Sequence, residues 1–214
     1  MDGGVKNSLK VMPFIFKGFD DYRVLGSILV AALNGKPHRT LHDIDLLIDE
    51  RIYEEVSSRF VKLGFKKITK KALIFKWDEF QKPNHLKFGV TIKGMFKGNF
   101  FIYNPSSSLA LYIKSDYLKP TEYELFGYKI QGIPLRSVYE GIKIANLNKK
   151  RVQDKKIVLE SVGKKLPEGL SINQAFQIHL LGLEIPYLYV FFSEIYNLVG
   201  GFRLLLGKSY DPWS

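Results

Sequence analysis

The pattern in this sequence that could do chemistry is Leu25-Gly26-Ser27 followed, 17 positions after Gly26, by Asp43-Ile44-Asp45. Glycine permits a tight turn and lets a ligand approach the backbone closely. A helix starting behind it would offer backbone N–H groups to a phosphate. Two aspartates two positions apart point to one face if they lie on a strand. Such a pair suits Mg²⁺, a hard cation commonly held by one or two carboxylates and completed by phosphate oxygens and water. Turn and acids together would bind a metal–triphosphate, and phosphoryl or nucleotidyl transfer depends on that positioning and charge neutralisation more than on covalent chemistry. Ser27 reads equally as a helix cap and as a phosphate ligand.

For these residues to meet, the chain must run as strand, tight turn, helix, loop and second strand. Tyr22–Leu25 predicts a short strand stopped at Gly26-Ser27, and the apolar run Ile28–Leu33 predicts a helix ended by Gly35-Lys36-Pro37. The β-branched and apolar residues of Asp43–Asp49, bounded by charge, predict the second strand. Ile52, Val56, Phe60 and Leu63 stand at helical spacing and predict a helix over 51–63, stopped by Gly64. Further strands are expected at Ala72–Trp77, His85–Ile92 and Asn99–Tyr103, punctuated by Pro83, Gly94 and Gly98. Tyr123–Ile130 reads as a hairpin through Phe126-Gly127-Tyr128. Ser137 with Glu140 reads as a capping box opening a helix at about 138–147, and Ser171 with Gln174 as another, opening a helix towards residue 184; Pro186 begins a further helix. This order predicts an α/β core with a mixed, partly antiparallel sheet over residues 1–165 and a C-terminal helical segment over 166–214.

Composition agrees with a folded chain. Its 214 residues are 46% hydrophobic and 25% charged, which suits one medium domain or a core with a smaller appendage. The absence of cysteine excludes a disulfide scaffold, a thiolate zinc site and a cysteine nucleophile. Met1-Asp2-Gly3-Gly4 lacks the basic and apolar series of a signal peptide, and the apolar stretch Ile185–Ser193 is well short of the ~20 residues a spanning helix needs. The expected location is therefore cytoplasmic. A net charge of +11 favours an anionic partner such as nucleotide, nucleic acid or an acidic membrane surface. That charge is concentrated between Arg59 and Lys97, where 11 basic residues face 2 acidic ones, and again between Lys143 and Lys165. Lys66-Lys67 and Lys70-Lys71 read first as a solvated edge and second as an RNA contact. The four histidines show no ligand spacing, and His42 reads as an exposed loop residue. Aromatics of the tail, Phe176 and Tyr187 to Phe202, read as core packing, with an acceptor-binding patch or a homodimer contact through the C-terminal helices as the alternative.

Leu25-Gly26-Ser27 and Asp43-Ile44-Asp45 resemble the pattern of the nucleotidyltransferase superfamily that includes aminoglycoside nucleotidyltransferases and the AbiEii-type toxins: a hydrophobic residue, Gly-Gly or Gly-Ser, a gap, then Asp-hydrophobic-Asp. Arg39 stands where members often carry an Arg before the acids. Ile133-Pro134-Leu135, Ser137, Lys143 and Lys150-Arg151-Val152-Gln153-Asp154 look like the later segment of that superfamily, so the resemblance spans roughly residues 20–160. It implies a nucleotidyltransferase-like fold, a nucleoside triphosphate as substrate and Mg²⁺ as cofactor. Gly26 and Ser27, with Arg39, would hold the triphosphate, Asp43 and Asp45 the metal, and Lys143 a phosphate, with Asp154 and Arg151 shaping the site. On their own spacing, Lys143 reads as an ion-pair partner of Glu140, and Asp154 as a paired surface acid. One feature of the superfamily is missing: a third carboxylate on a later core strand, which completes metal binding and serves as base. No acid occurs between Glu79 and Asp116, so either Asp78, Glu79 or Asp116 substitutes, or turnover is impaired. Two functional readings follow: nucleotidyl transfer to an acceptor, either RNA or a small molecule, and a nucleotide- or RNA-binding module that has lost turnover.

Overall fold

A computed structural model describes residues 2–72, 75–144, 149–163 and 168–185. The chain opens with helix α1 (Asp2–Ile15), followed by strand β1 (Tyr22–Leu25), helix α2 (Ser27–Leu33), strand β2 (Asp43–Asp49) and helix α3 (Glu50–Lys62). Strands β3 (Lys66–Ala72), β4 (Phe75–Gln81), β5 (Lys87–Lys97), β6 (Phe100–Ser106) and β7 (Leu109–Lys114) come next, then a 3-10 turn at Ser115–Leu118 and the hairpin β8 (Thr121–Leu125) and β9 (Tyr128–Gly132). Helices α4 (Leu135–Ile144), α5 (Lys149–Val162) and α6 (Ile172–Ala175) and strands β10 (Phe176–Leu180) and β11 (Leu183–Glu184) complete the described order.

The strands form one mixed sheet in the order β11-β10-β7-β6-β5-β2-β1-β9-β8, with β4 also pairing β5 and β3 pairing β4. Within it β2 is antiparallel to β1 and parallel to β5, the central strand of that order. The register assigns the two faces. Ile44 pairs with Phe88, and Phe88 with Phe80, so these apolar side chains share one face. Phe60 of α3 lies against it, its ring 4.3 Å from Phe80 and 5.0 Å from Phe88. All four residues are fully buried. Side chains of a strand alternate between faces, so the odd-numbered positions Asp43 and Asp45 stand on the face away from α3.

β5 serves two parts of the sheet. Its first half pairs with β2 and β4, and Met95–Lys97 pairs with β6. Gly94 sits at the crossing, where a Cβ would lie 2.2 Å from the Ile102 carbonyl oxygen. The glycine expected to end a strand instead lets two backbones approach while the strand continues.

Most expected elements near the centre are present, and several at the periphery are corrected. Ala72–Trp77 is not one strand: it straddles β3 and β4, which pair with each other, and β4 pairs in turn with β5. β7 was missed. Helix α1 was missed too, although Val5, Leu9, Met12 and Phe16 form a buried stripe at helical spacing. The second predicted capping box is formed, with the Ser171 N–H donating to Gln174 Oε1 at 3.0 Å, but its helix lasts one turn. Residues 176–180 continue as a strand on β7 rather than as a helix towards 184. Helix α4 begins at Leu135, so Ser137 lies inside it. The helix expected after Pro186 lies outside the described residues. Among the described residues no helix is long and apolar enough to cross a membrane.

Candidate nucleotide site

Gly26 ends β1 and precedes α2 with φ 75° and ψ −154°, a conformation essentially reserved for glycine. The antiparallel register places Leu25 opposite Asp45. Consequently the turn and the acid, 19 positions apart in sequence, touch in space: a Cβ on Gly26 would lie 2.7 Å from Asp45 Oδ2. Ser27 is the first residue of α2 and is buried, while Gly26 takes the cap position, so the cap reading of Ser27 is corrected.

Asp43 and Asp45 share a face, as their spacing predicted. Asp43 has a side chain 40% exposed. Two carboxylates on one face, open to solvent and beside a glycine turn, form a donor set that fits one Mg²⁺ delivered with phosphate oxygens. Asp43 and Asp45 would hold it. Among the described residues no group of three or more His, Asp or Glu side chains is placed to hold a metal ion.

The register explains what became of the third acid. On β5, Lys87 pairs with Asp43 and Gly89 with Asp45. One strand further, Glu79 pairs with Gly89, and Asp78 with Val90. Glu79 therefore stands on the same face as Asp43 and Asp45, whereas Asp78 stands on the α3 face. There Asp78 accepts hydrogen bonds from Tyr53 and Thr69. Burial would raise the Asp78 carboxyl, yet these bonds and the charges of Lys67 and Lys93 hold it below the ordinary value. Asp116 lies in the 3-10 turn beyond β7.

Glu79 is committed elsewhere. Its side chain is only 5% exposed. Oε1 accepts from Trp77 Nε1 and Lys87 Nζ, both at 3.2 Å, and Oε2 accepts from Gln81 Nε2 at 3.0 Å. Lys70 Nζ stands 3.6 Å from Oε2. Burial pushes its carboxyl up, but the hydrogen bonds from Trp77, Lys87 and Gln81 outweigh this and leave it below the ordinary range. A carboxylate so held is a poor proton acceptor. The ammonium of Lys87 also lies 4.0 Å from Asp43 Oδ2. Sequence reading did not single out Lys87, because only the pairing of two distant strands sets it opposite Asp43.

Arg39 and Asp154, two of the remaining predicted site residues, pair with each other. Arg39 directs its guanidinium to Asp154, with Nε 3.3 Å from Oδ1 and Nη2 3.4 Å from Oδ2. His38 Nε2 lies 2.6 Å from the same Oδ1. Asp154 is fully buried, so it is paired as expected but is not a surface acid: it ties α5 to the loop after α2. Glu140 is buried and pairs with Arg136 at 2.8 Å. Lys143 belongs to α4 and Arg151 to α5, and the side chains of both lie outside the described residues.

Solved structures with the same architecture decide the fold. A lincosamide antibiotic adenylyltransferase, LnuA, with lincomycin bound, superposes over 64% of this chain and 84% of that one, at TM-score 0.52 and 18% identity. The chain has the nucleotidyltransferase fold. ANT(2")-Ia in complex with adenylyl-2"-tobramycin superposes over 74% of this chain and 88% of that one, at TM-score 0.51 and 11% identity. At such identities the likeness is one of fold. No protein-family model and no curated protein sequence matches the chain. Within the nucleotidyltransferase fold, then, the turn at Gly26 and the pair Asp43 and Asp45 are assembled, while the acid sought as a third ligand is tied to a lysine.

Proposed function

We propose that the chain transfers a nucleoside monophosphate from an Mg²⁺-bound nucleoside triphosphate to a hydroxyl of an acceptor. The observation that carries this reading is the contact between the Gly26 turn and the Asp45 carboxylate, which makes one cradle from two distant segments. Gly26 and Ser27 would bind the phosphates and Asp43 and Asp45 would hold Mg²⁺, while the superfamily resemblance assigns Lys143 to a phosphate. Bound Mg²⁺ would neutralise phosphate charge and orient the triphosphate. The acceptor oxygen bonds to the α-phosphorus as the bond from that phosphorus to the bridging oxygen breaks. Pyrophosphate departs and the hydroxyl proton passes to water. Arg39 would join Gly26 and Ser27 at the triphosphate by exchanging its contact with Asp154 for a phosphate.

The acceptor is a hydroxyl-bearing small molecule, as the tobramycin adduct of one fold neighbour suggests, or RNA. Lys66 and Lys70 stand on β3 in register with Gln81 and Trp77, on the face of the acids, and favour an anionic acceptor over a neutral one.

A binding module without turnover is the second reading, and the engagement of Glu79 with Lys87, Trp77 and Gln81 favours it. General-base help is worth about 10²–10⁴ in rate, and Glu79, which shares the face of Asp43 and Asp45, is held by these hydrogen bonds. Calorimetry with ATP and GTP, with and without Mg²⁺, followed by a labelled-nucleotide transfer assay, separates the two. Asp43→Ala should abolish transfer and weaken Mg²⁺-dependent binding while leaving the melting temperature nearly unchanged, because this side chain is 40% exposed and its ion pair with Lys87 is long at 4.0 Å. Unchanged turnover in that variant would refute the assignment.

A further inference from the structure

We propose that the ammonium of Lys87 is a built-in second cation of the nucleotide site, so that the chain takes a single divalent ion with its nucleotide. This rests on the reading of Asp43 and Asp45 as the metal ligands.

Three observations lead to it. The first is place. Phosphoryl-transfer sites that use two metal ions set them about 3.5–4 Å apart, bridged by carboxylates. Here a fixed positive charge sits 3.2 Å from Glu79 and 4.0 Å from Asp43, on the face of both. It occupies the region a second ion would need. The second is charge. Lys70, Glu79 and Lys87 together carry one net positive charge beside the two negative charges of Asp43 and Asp45. One further divalent ion balances that pair, and a second would meet an ammonium already in contact with its carboxylates. The third is saturation. Glu79 receives hydrogen bonds on both oxygens, so it has to surrender bonds before it can ligate a metal. Gly89, which separates Asp45 from Glu79 in the register, supplies no ligand either.

Lys87 is also one-third exposed. A structural salt bridge alone would be satisfied by Glu79, yet Lys87 is also the register partner of Asp43, with its ammonium 4.0 Å from Asp43 Oδ2. A lysine there differs from a metal in one respect that can be measured: it neutralises charge without adding an ion to the stoichiometry.

The test counts ions. Mn²⁺ is titrated into the full chain with α,β-methylene-ATP or α,β-methylene-GTP, free Mn²⁺ is read by electron paramagnetic resonance, and the ion held by analogue not bound to the chain is subtracted. The wild-type chain should bind one Mn²⁺ per bound nucleotide. Lys87→Met, which keeps the length of the stem and removes the charge, should take up a second Mn²⁺, and Lys87→Arg should stay at one. Two ions in the wild-type chain would overturn the inference while leaving the nucleotide site standing, and this result does not depend on any variant folding. One ion in both the wild type and Lys87→Met would overturn it as well. Failure of the wild-type chain to bind either analogue with Mn²⁺ would overturn the inference together with the reading beneath it.

Discussion

Replacing Gly26 by alanine tests the contact on which the site depends. The backbone there has φ 75° and ψ −154°, and an L-residue held in that region costs about 1–3 kcal/mol. The new Cβ would also stand 2.7 Å from Asp45 Oδ2, where ordinary contact begins at 3.4 Å, so the carboxylate must retreat by about 0.7 Å. Because the obstructing atom ends a short side chain, the retreat costs little stability and much geometry. A displacement on the order of 1 Å at a reacting centre can cost about 10²-fold in rate. Gly26→Ala should therefore lose about 1–3 kcal/mol in urea unfolding, while its Mg²⁺-dependent nucleotide transfer falls by about 10²-fold. The double-mutant cycle with Asp45→Ala separates the parts: once the carboxylate is gone, the alanine should cost only its backbone share, leaving a coupling of about 0.5 kcal/mol or more. Wild-type unfolding and wild-type transfer in Gly26→Ala would refute the close approach, and strict additivity in the cycle would refute the role of Asp45 in it.

Asp49 caps α3, accepting from the Arg51 N–H at 2.9 Å, from the Arg51 guanidinium at 2.8 Å and from the Phe96 N–H at 2.8 Å. Burial raises its carboxyl, but these bonds prevail and hold it below the ordinary aspartate value of about 3.9. A carboxyl lowered in the folded chain stabilises fully above that unfolded value, and the contribution disappears as pH falls through the folded one. Asp49→Asn should cost about 1–2 kcal/mol at neutral pH and flatten the acid limb of stability below about pH 4; identical urea and acid unfolding curves for the two proteins would contradict this. Asp154→Ala leaves His38 and Arg39 buried or half-buried without their shared acceptor, and should destabilise the chain by about 3–5 kcal/mol. Limited proteolysis should then open the loop around His38 and the start of α5 first, and uniform protection would count against the tie.

How far the site was legible depended on how local each signal is. The strand Tyr22–Leu25, the turn at Gly26 and the strand Asp43–Asp49 were readable with their boundaries, because alternation, a glycine and a helical apolar run act within a few residues. The hairpin turn was legible for the same reason: Phe126 and Gly127 both take positive φ, 55° and 79°, as a two-residue turn of this hand requires. By contrast, β3 and β4 were blurred, since the lysines of the edge strand β3 carry little β signal and the acids of β4 are buried only through pairing with β5. Phe176–Leu180 was read as helix because a capping box preceded it. There the local signal was real and formed one turn, and pairing with β7 overrode it.

By itself the sequence determined that a glycine turn would precede a helix and that Asp43 and Asp45 would share a face. Backbone chirality and the two-residue period of a strand impose both without help from the rest of the chain. Only the tertiary structure decided that Asp45 meets Gly26, that Lys87 stands opposite Asp43, that Glu79 joins their face while its neighbour Asp78 turns to α3, and that Asp154 is buried against His38 and Arg39. Those relations follow from register between strands remote in sequence. That register is set by the stacking of Phe60 on Phe80 and Phe88, since a slip of one residue would put the phenylalanines in water and the acids in the core.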